Sequence, residues 1–252
     1  MGITDLVVPI FIIVIFWLFF RSFFKSFSKH RSFAKAAAIL PPVKDGDLYG
    51  EGNMQFSGVT GGISWKMDSI ILSMAFGSKS SQAWKRKSVW KSADIRWPEG
   101  KFLMIMSSPK ETGLGNFQKT TGVLNKFLQF AIDKMLDLYV GGYFGNEYTA
   151  LVGVENGGKV ISKEGAKDFF MLTNHEGLAE KFLDDATLNA ISAWKRQKTG
   201  FRQEAQVDLF GVLFAPDAMM VSCQAALREQ EEVKMFSDFA SAMAVKMKGV
   251  LG

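Results

Sequence analysis

The sequence contains few of the side chains that usually bind metals or form cross-links. Among its 252 residues there is one cysteine, Cys223, and there are two histidines, His30 and His175. A single cysteine excludes a disulfide within the chain, and nothing in the sequence requires an oxidising compartment. Three such side chains also leave little material for a zinc site. We therefore predict no metal and no cofactor.

Recognisable catalytic motifs are also missing. The sequence has no nucleophile elbow, no zinc-ligand cluster and no dinucleotide fingerprint. Its nearest approach to a phosphate-binding loop is Gly113–Thr120, where Gln118 occupies the position of the second glycine. An ordinary loop before a helix is the favoured interpretation, and an anion site at the helix start is the alternative. The residues of that candidate anion site are Gly113, Gly115, Lys119 and Thr120.

Acidic residues are absent between Asp5 and Asp45, and this gap contains the longest apolar run, Leu6–Phe20. A helix needs about 20 apolar residues to cross a bilayer core. Phenylalanines beyond Phe20 lengthen the run along one face, while basic residues lie on another face at a spacing of four. We predict a transmembrane helix over 1–24 and a basic amphipathic stalk and linker over 25–44. The expected lipid contacts are Trp17, Phe20, Arg21, Phe23, Phe24, Lys25, Phe27, Lys29 and Arg31.

Two alternatives to the anchor are a cleaved signal peptide and a buried core helix. A signal peptide has its positive charge before the apolar run, whereas here the charge follows the run. The density of Phe and Ile, flanked by charge on one side only, argues against a core helix. Positive residues favour the cytoplasmic side, so we predict an N-terminus outside and a cytoplasmic domain at the cell (inner) membrane.

The net charge of +5 is concentrated beside the predicted anchor. Residues 21–44 hold six Lys or Arg and no acid, which leaves 24 basic and 24 acidic residues after position 44. The domain at 45–252 is therefore neutral by formal count. Nucleic acid is an unlikely partner on this ground, because the excess charge lies next to the predicted bilayer.

Residues 45–252 alternate between strand and helix patterns without a regular βαβ order. Strands are predicted over 54–76, 101–107 and 169–172, and helices over 116–139, 174–196 and 227–250. Two hairpins are predicted, one joining 148–154 to 159–162 and one joining 206–214 to 219–225. The predicted fold class is α+β, with short and mostly antiparallel strands and about three longer helices, preceded by the single transmembrane helix and its stalk.

Residues 82–97 interleave tryptophan with lysine and arginine. Such a stretch suits three roles: stacking on single-stranded nucleic acid, contact with lipid or a partner at a bilayer interface, or a strand with tryptophan inward and charge outward. We weigh the second and third roles above the first. The candidate contact residues are Trp84, Lys85, Arg86, Lys87, Trp90 and Lys91.

The surplus of apolar side chains without a polar group favours contacts over catalysis. The sequence has 23 Phe and 13 Met against 4 Tyr. We expect a single-pass accessory, assembly or scaffold protein that contacts the bilayer and either a membrane-protein partner or further copies of itself. The alternatives are a membrane-tethered enzyme or nucleotide-binding sensor and a module that binds anionic lipid.

Overall fold

A computed structural model describes most of the chain after residue 53. The described residues are 54–74, 83–107, 140–153, 156–161, 163, 166, 168–197, 200–201 and 206–252. The predicted anchor, its stalk and the predicted helix over 116–139 lie outside these ranges, as does the candidate anion site. Within the ranges, no helix combines the length and the apolar character needed to span a bilayer.

The described residues contain an eight-stranded sheet in which every neighbouring pair is antiparallel. The spatial order is β1-β2-β3-β8-β7-β4-β6-β5. The strands are β1 Met54–Thr60, β2 Ile63–Met74, β3 Ala83–Ser92, β4 Leu103–Ser107, β5 Lys159–Ile161, β6 Phe169–Thr173, β7 Gln206–Phe214 and β8 Met219–Gln224. Strands β1 and β5 are therefore the two edges.

Three α-helices, a helical segment at 140–143 and one short 3₁₀-helix, Asn146–Tyr148, accompany the sheet in the described ranges. The α-helices are α1 Glu176–Phe182, α2 Asp185–Arg196 and α3 Gln230–Leu251. An antiparallel sheet with these three α-helices packed on one face defines an α+β fold. This confirms the predicted fold class of the domain.

The sheet has two faces, because side chains alternate along every strand. The face that packs against the helices, which we call the helix face, forms the larger apolar core. That core includes Ile63, Met67, Trp90, Ile105, Val212, Phe214, Phe182, Ile191, Trp194, Phe236 and Met247. The opposite face, which we call the second face, is covered by residues 140–152. Its core includes Met104, Phe170, Leu213, Met220, Tyr143, Phe144 and Tyr148.

The predicted helix over 174–196 is two helices in the structure. Leu183 leaves the helical conformation, and Asp184 then begins α2 by accepting a hydrogen bond from the Thr187 N–H at 2.9 Å. The predicted helix begins at Asn174, but α1 begins at Glu176. His175 caps α1, because its Nδ1 accepts the Leu178 N–H at 3.4 Å.

The predicted hairpin between 148–154 and 159–162 is wrong in its first half. Residues 149–153 form turns, and β5 pairs instead with β6. The other predicted hairpin, formed by β7 and β8, is confirmed. The predicted strand region 54–76 forms two strands in the structure, β1 and β2.

Candidate functional site

The tryptophan and lysine residues of β3 do not share one surface, because the strand alternates between the two faces. Trp90 lies on the helix face with 0% of its surface exposed, and its ring stacks against Trp65 at 6.5 Å between centroids. Trp90 is therefore a core residue, which corrects its expected contact with lipid or a partner. Arg86 is half-buried, and the side chains of Trp84 and Lys85 lie outside the described set.

Lys87 lies on the second face and is only 8% exposed. Its Nζ donates a hydrogen bond to the Gly142 carbonyl at 2.8 Å. Burial lowers the pKa of Lys87 to about 8, although Glu147 and Asp68 favour its charged form. An outward-pointing charge was one interpretation of this stretch, and Lys87 departs from it. Its ammonium group instead holds the helical segment 140–143 against the sheet.

Lys91, two positions further along the same face, joins a second connection to this segment. Its Nζ donates to the Tyr148 hydroxyl at 2.9 Å, and that hydroxyl donates to Asp217 Oδ2 at 2.6 Å. Lys91 and Asp217 also form an ion pair at 3.4 Å, with side chains 45% and 57% exposed. These three residues tie β3, the 3₁₀-helix and the turn between β7 and β8 together.

The protonation states in this group favour a structural role. Burial and the hydrogen bond to Asp217 raise the pKa of Tyr148, so its hydroxyl remains a donor near neutral pH. Partial burial opposes ionisation of Asp217, but the hydrogen bonds from Tyr148 and Lys91 outweigh it and lower its pKa. A phenol that stays protonated beside a carboxylate that stays charged is poorly matched to proton transfer at pH 7.

We name the set of Lys87, Lys91, Tyr143, Tyr148, Asp217 and Gln224 the lysine–tyrosine cluster. Its third link is a hydrogen bond from Gln224 Nε2 to the Tyr143 hydroxyl at 2.8 Å. No local sequence pattern marks this cluster, because Lys91 is separated from Tyr148 by 57 positions and from Asp217 by 126. Only the sheet topology brings these side chains together.

Metal and thiol chemistry find no support in the described ranges. No three His, Cys, Asp or Glu side chains there are grouped so that they could hold a metal ion. Cys223 is fully buried, and burial raises the pKa of its thiol to about 12. A thiol in that state is a small core residue and not a nucleophile.

A groove of about 670 Å³ runs beside the start of α3. It is lined by Gly200, Phe201 and residues 229–232, with Lys234 at its margin. The acidic side chains there are explained locally, because Glu229 and Glu232 form a capping box and acids suit a helix N-terminus. This groove therefore points to no particular ligand.

Among the described residues, strand β1 is a sheet edge without charge, proline or a bulge. Its sequence, MQFSGVT, has no charged residue and no proline. Its register with β2 is continuous over all seven residues, without a bulge. Among the described residues, β1 pairs only with β2. Natural sheets usually protect such an edge with charge, proline, a bulge or short length, so an unprotected edge favours the addition of another strand.

Exposed apolar side chains accompany this edge. Met54 and Val59, at its two ends, are 40% and 70% exposed. Val245 of α3 is 45% exposed and lies beside the turn after β1, because a Cβ on Gly61 would be 3.1 Å from its Cγ2. The opposite edge differs, since β5 has only three residues and begins with Lys159, which is paired with Glu176 at 2.7 Å. We call β1 together with Val245 the β1 edge.

The fold and the β1 edge together describe an α+β domain with a candidate surface for strand addition. No family model, curated protein or solved structure matches the chain. Its function is therefore inferred from the geometry and the sequence alone.

Proposed function

We propose that the chain is a single-pass, membrane-anchored accessory, assembly or scaffold protein. In this proposal its cytoplasmic α+β domain makes protein contacts at the membrane surface as a subunit of a larger membrane complex. The observation that carries the proposal is the β1 edge, which is uncharged, unprotected and rimmed by Met54, Val59 and Val245. An added strand would gain backbone hydrogen bonds from such an edge and apolar contacts from its rim.

The position of β1 in the chain supports a contact near the bilayer. Only residues 45–53 separate the predicted basic stalk from Met54. Nine extended residues reach at most about 30 Å, so the edge stays within that distance of the end of the stalk. The first strand of the domain is thus also the element that the predicted anchor holds closest to the headgroups.

The lysine–tyrosine cluster supports a binding role over a catalytic one. Lys87, Lys91 and Tyr148 are each hydrogen-bonded to groups that hold the 140–148 segment on the sheet. Their polar atoms hold the fold together, whereas packing within the described residues does not explain the uncharged β1 edge.

Site-specific photocrosslinking in native membranes tests the proposal. A photoactivatable amino acid at Val59, whose side chain is 70% exposed, should yield a discrete protein adduct. The matched control is the same amino acid at Ala193, which is exposed on α2 away from the β1 edge. Equal labelling at both positions, or no adduct at Val59, would count against a specific contact at the edge.

Protease protection tests the proposed orientation. In sealed, right-side-out vesicles, a cytoplasmic domain should resist an added protease until detergent opens the vesicle. Digestion of residues 54–252 from the outer side would refute the orientation.

A further inference from the structure

We infer that the occupant of the β1 edge is β1 of a second copy of the chain, paired antiparallel about a twofold axis. This inference rests on the proposed function and names the partner of the same edge. Two eight-stranded sheets would then continue into one another across the pair. Twofold dimers are the commonest soluble oligomers, and their interface requires a surface that is complementary to itself.

Charge makes β1 compatible with itself. A twofold axis places a strand opposite its own sequence, so any charged residue near the centre would face a like charge. Strand β1 contains no charged residue. A twofold axis along the membrane normal also keeps both predicted anchors in one bilayer with the same orientation.

The side chains on the helix face fit a register centred on Ser57. In that register Phe56 lies opposite Gly58 of the second copy, and Met54 lies opposite its Thr60. The Trp65 ring already covers Gly58, since a Cβ there would come within 2.7 Å of that ring. The Phe56 ring would thus lie over Gly58 and beside Trp65 of the other copy. An aromatic side chain that covers a glycine on the neighbouring strand stabilises a sheet.

The exposed apolar residues at the two ends of the edge also match in this register. Met54 of one copy, opposite Thr60 of the other, would lie next to that copy's Gly61 and hence next to Val245. Both side chains are substantially exposed in the single chain, at 40% and 45%. The twofold axis generates the contact between Met54 and Val245 twice, once at each end of the paired strands. These contacts cover apolar side chains that a single copy exposes to water.

Disulfide trapping in the full chain tests the pairing and its register. Ser57→Cys should cross-link two copies in membranes treated with a mild oxidant, because residues opposite each other in a sheet lie within disulfide range. Gln55→Cys and Val59→Cys should each fail to cross-link alone, since their like positions are roughly 13 Å apart along the strands. A Gln55→Cys chain and a Val59→Cys chain, each carrying a different tag, should cross-link to each other when they are co-expressed. Cys223 is buried and does not interfere.

The controls separate this inference from the proposed function. Ala193→Cys reports random collision, and cross-linking there as strong as at Ser57→Cys would overturn the inference. Failure of Ser57→Cys together with a Val59 adduct whose mass is not that of two 28.0 kDa chains would show that the partner is a different protein. That result would exclude a second copy as the partner, and it would remain consistent with the proposed function. Failure of both experiments would refute both.

Discussion

Lys87 is the residue whose environment differs most from what its type suggests. Lysine is almost never fully buried without a partner, and here the Gly142 carbonyl accepts its hydrogen bond. Alternation along β3 places Lys87 on the second face, and residues 140–148 then cover it. The sequence predicts the alternation but not the cover, because the covering segment lies more than fifty positions away.

The lowered pKa of Lys87 predicts a specific pH dependence of stability. Between pH 8 and its ordinary value of 10.5, the unfolded chain binds a proton that the folded chain does not. From pH 8 to 9 stability should therefore rise, by roughly 1 kcal/mol. Above pH 9 the Cys223 thiol and then the Tyr148 hydroxyl oppose the rise, because their raised pKa values mean that the folded chain keeps protons that the unfolded chain loses. The thermal midpoint of the detergent-solubilised chain, followed by tryptophan fluorescence, should rise by a few degrees from pH 8 to 9.

Lys87→Met should flatten this rise and increase the midpoint near pH 7. Lys91→Met is the matched control, since Lys91 lies on the same strand and face with a half-exposed side chain. A wild-type midpoint that falls from pH 8 to 9 would contradict the lowered pKa of Lys87.

Gly211 provides the space for the Phe144 ring on the second face. A Cβ on this β7 residue would lie 2.7 Å from the Phe144 Cζ atom. Gly211→Ala should destabilise the fold by about 1–3 kcal/mol through overpacking. The measurement is the denaturation midpoint of the full chain.

Two further variants make the prediction for Gly211 specific. In a Phe144→Leu background, Gly211→Ala should cost less, because the shorter side chain withdraws from the new methyl group. Gly177→Ala in α1 should be neutral or stabilising, since nothing lies within 4 Å of that position. Equal destabilisation by Gly211→Ala in both backgrounds would refute the contact with Phe144.

At the scale of elements, the strands are the part of the fold that the sequence predicts best. Period-two alternation marks β1 and the first half of β2, and the Ala215–Asp217 turn marks the hairpin of β7 with β8. Sheet order is not predictable in the same way, because β4 lies between β7 and β6 through pairings distant in sequence. Local patterns carry no information about such crossovers.

The break between α1 and α2 shows how a capping residue can be missed inside an apolar pattern. The apolar spacing continues through Leu183 and Leu188, and it therefore predicts one helix. The helix breaks before Asp184, because its carboxylate accepts a hydrogen bond from the Thr187 N–H and also forms an ion pair with Lys246 of α3. The interaction with α3 is long-range and invisible in the local sequence.

Asp184 predicts a loss of stability in acid. Hydrogen bonds, first from Lys246 and then from Thr187, lower its pKa to about 2 from an ordinary value of 3.8. Its stabilising effect is fully present above pH 3.8 and disappears as the pH falls toward 2. Asp184→Asn keeps an acceptor for Thr187 but loses the charge, so it should lower the unfolding midpoint at pH 6 and change it little at pH 2. Equal destabilisation at both pH values would refute the role of the charge.

At the scale of the whole molecule, the predicted anchor is testable without reference to the fold. Two charges at the centre of Leu6–Phe20, Ile12→Lys with Ile13→Lys, should each cost about 2.5–3.5 kcal/mol of insertion free energy. Alkaline carbonate should then extract the variant, whereas the wild type and the Ile12→Leu, Ile13→Leu control should stay with the membranes. Extraction of the wild type would contradict the anchor.

The β1 edge could be recognised only in part from the sequence. Its alternation and lack of charge are visible in residues 54–60. That it lies at an edge, beside Val245 of α3, follows only from the assembled sheet. Trp90 and Lys87, which the sequence predicts as contact residues, are buried in the interior of the fold.

Native mass spectrometry of the full chain, gently extracted from its own membranes, tests whether the β1 edge pairs two copies. Pairing through this edge should give a particle that contains at least two copies of the 28.0 kDa chain. Ser57→Lys, which places like charges at the centre of the β1 pairing, should shift that particle toward single copies, whereas Ser57→Thr should not. A lone chain of 28.0 kDa in every mild detergent would contradict the account.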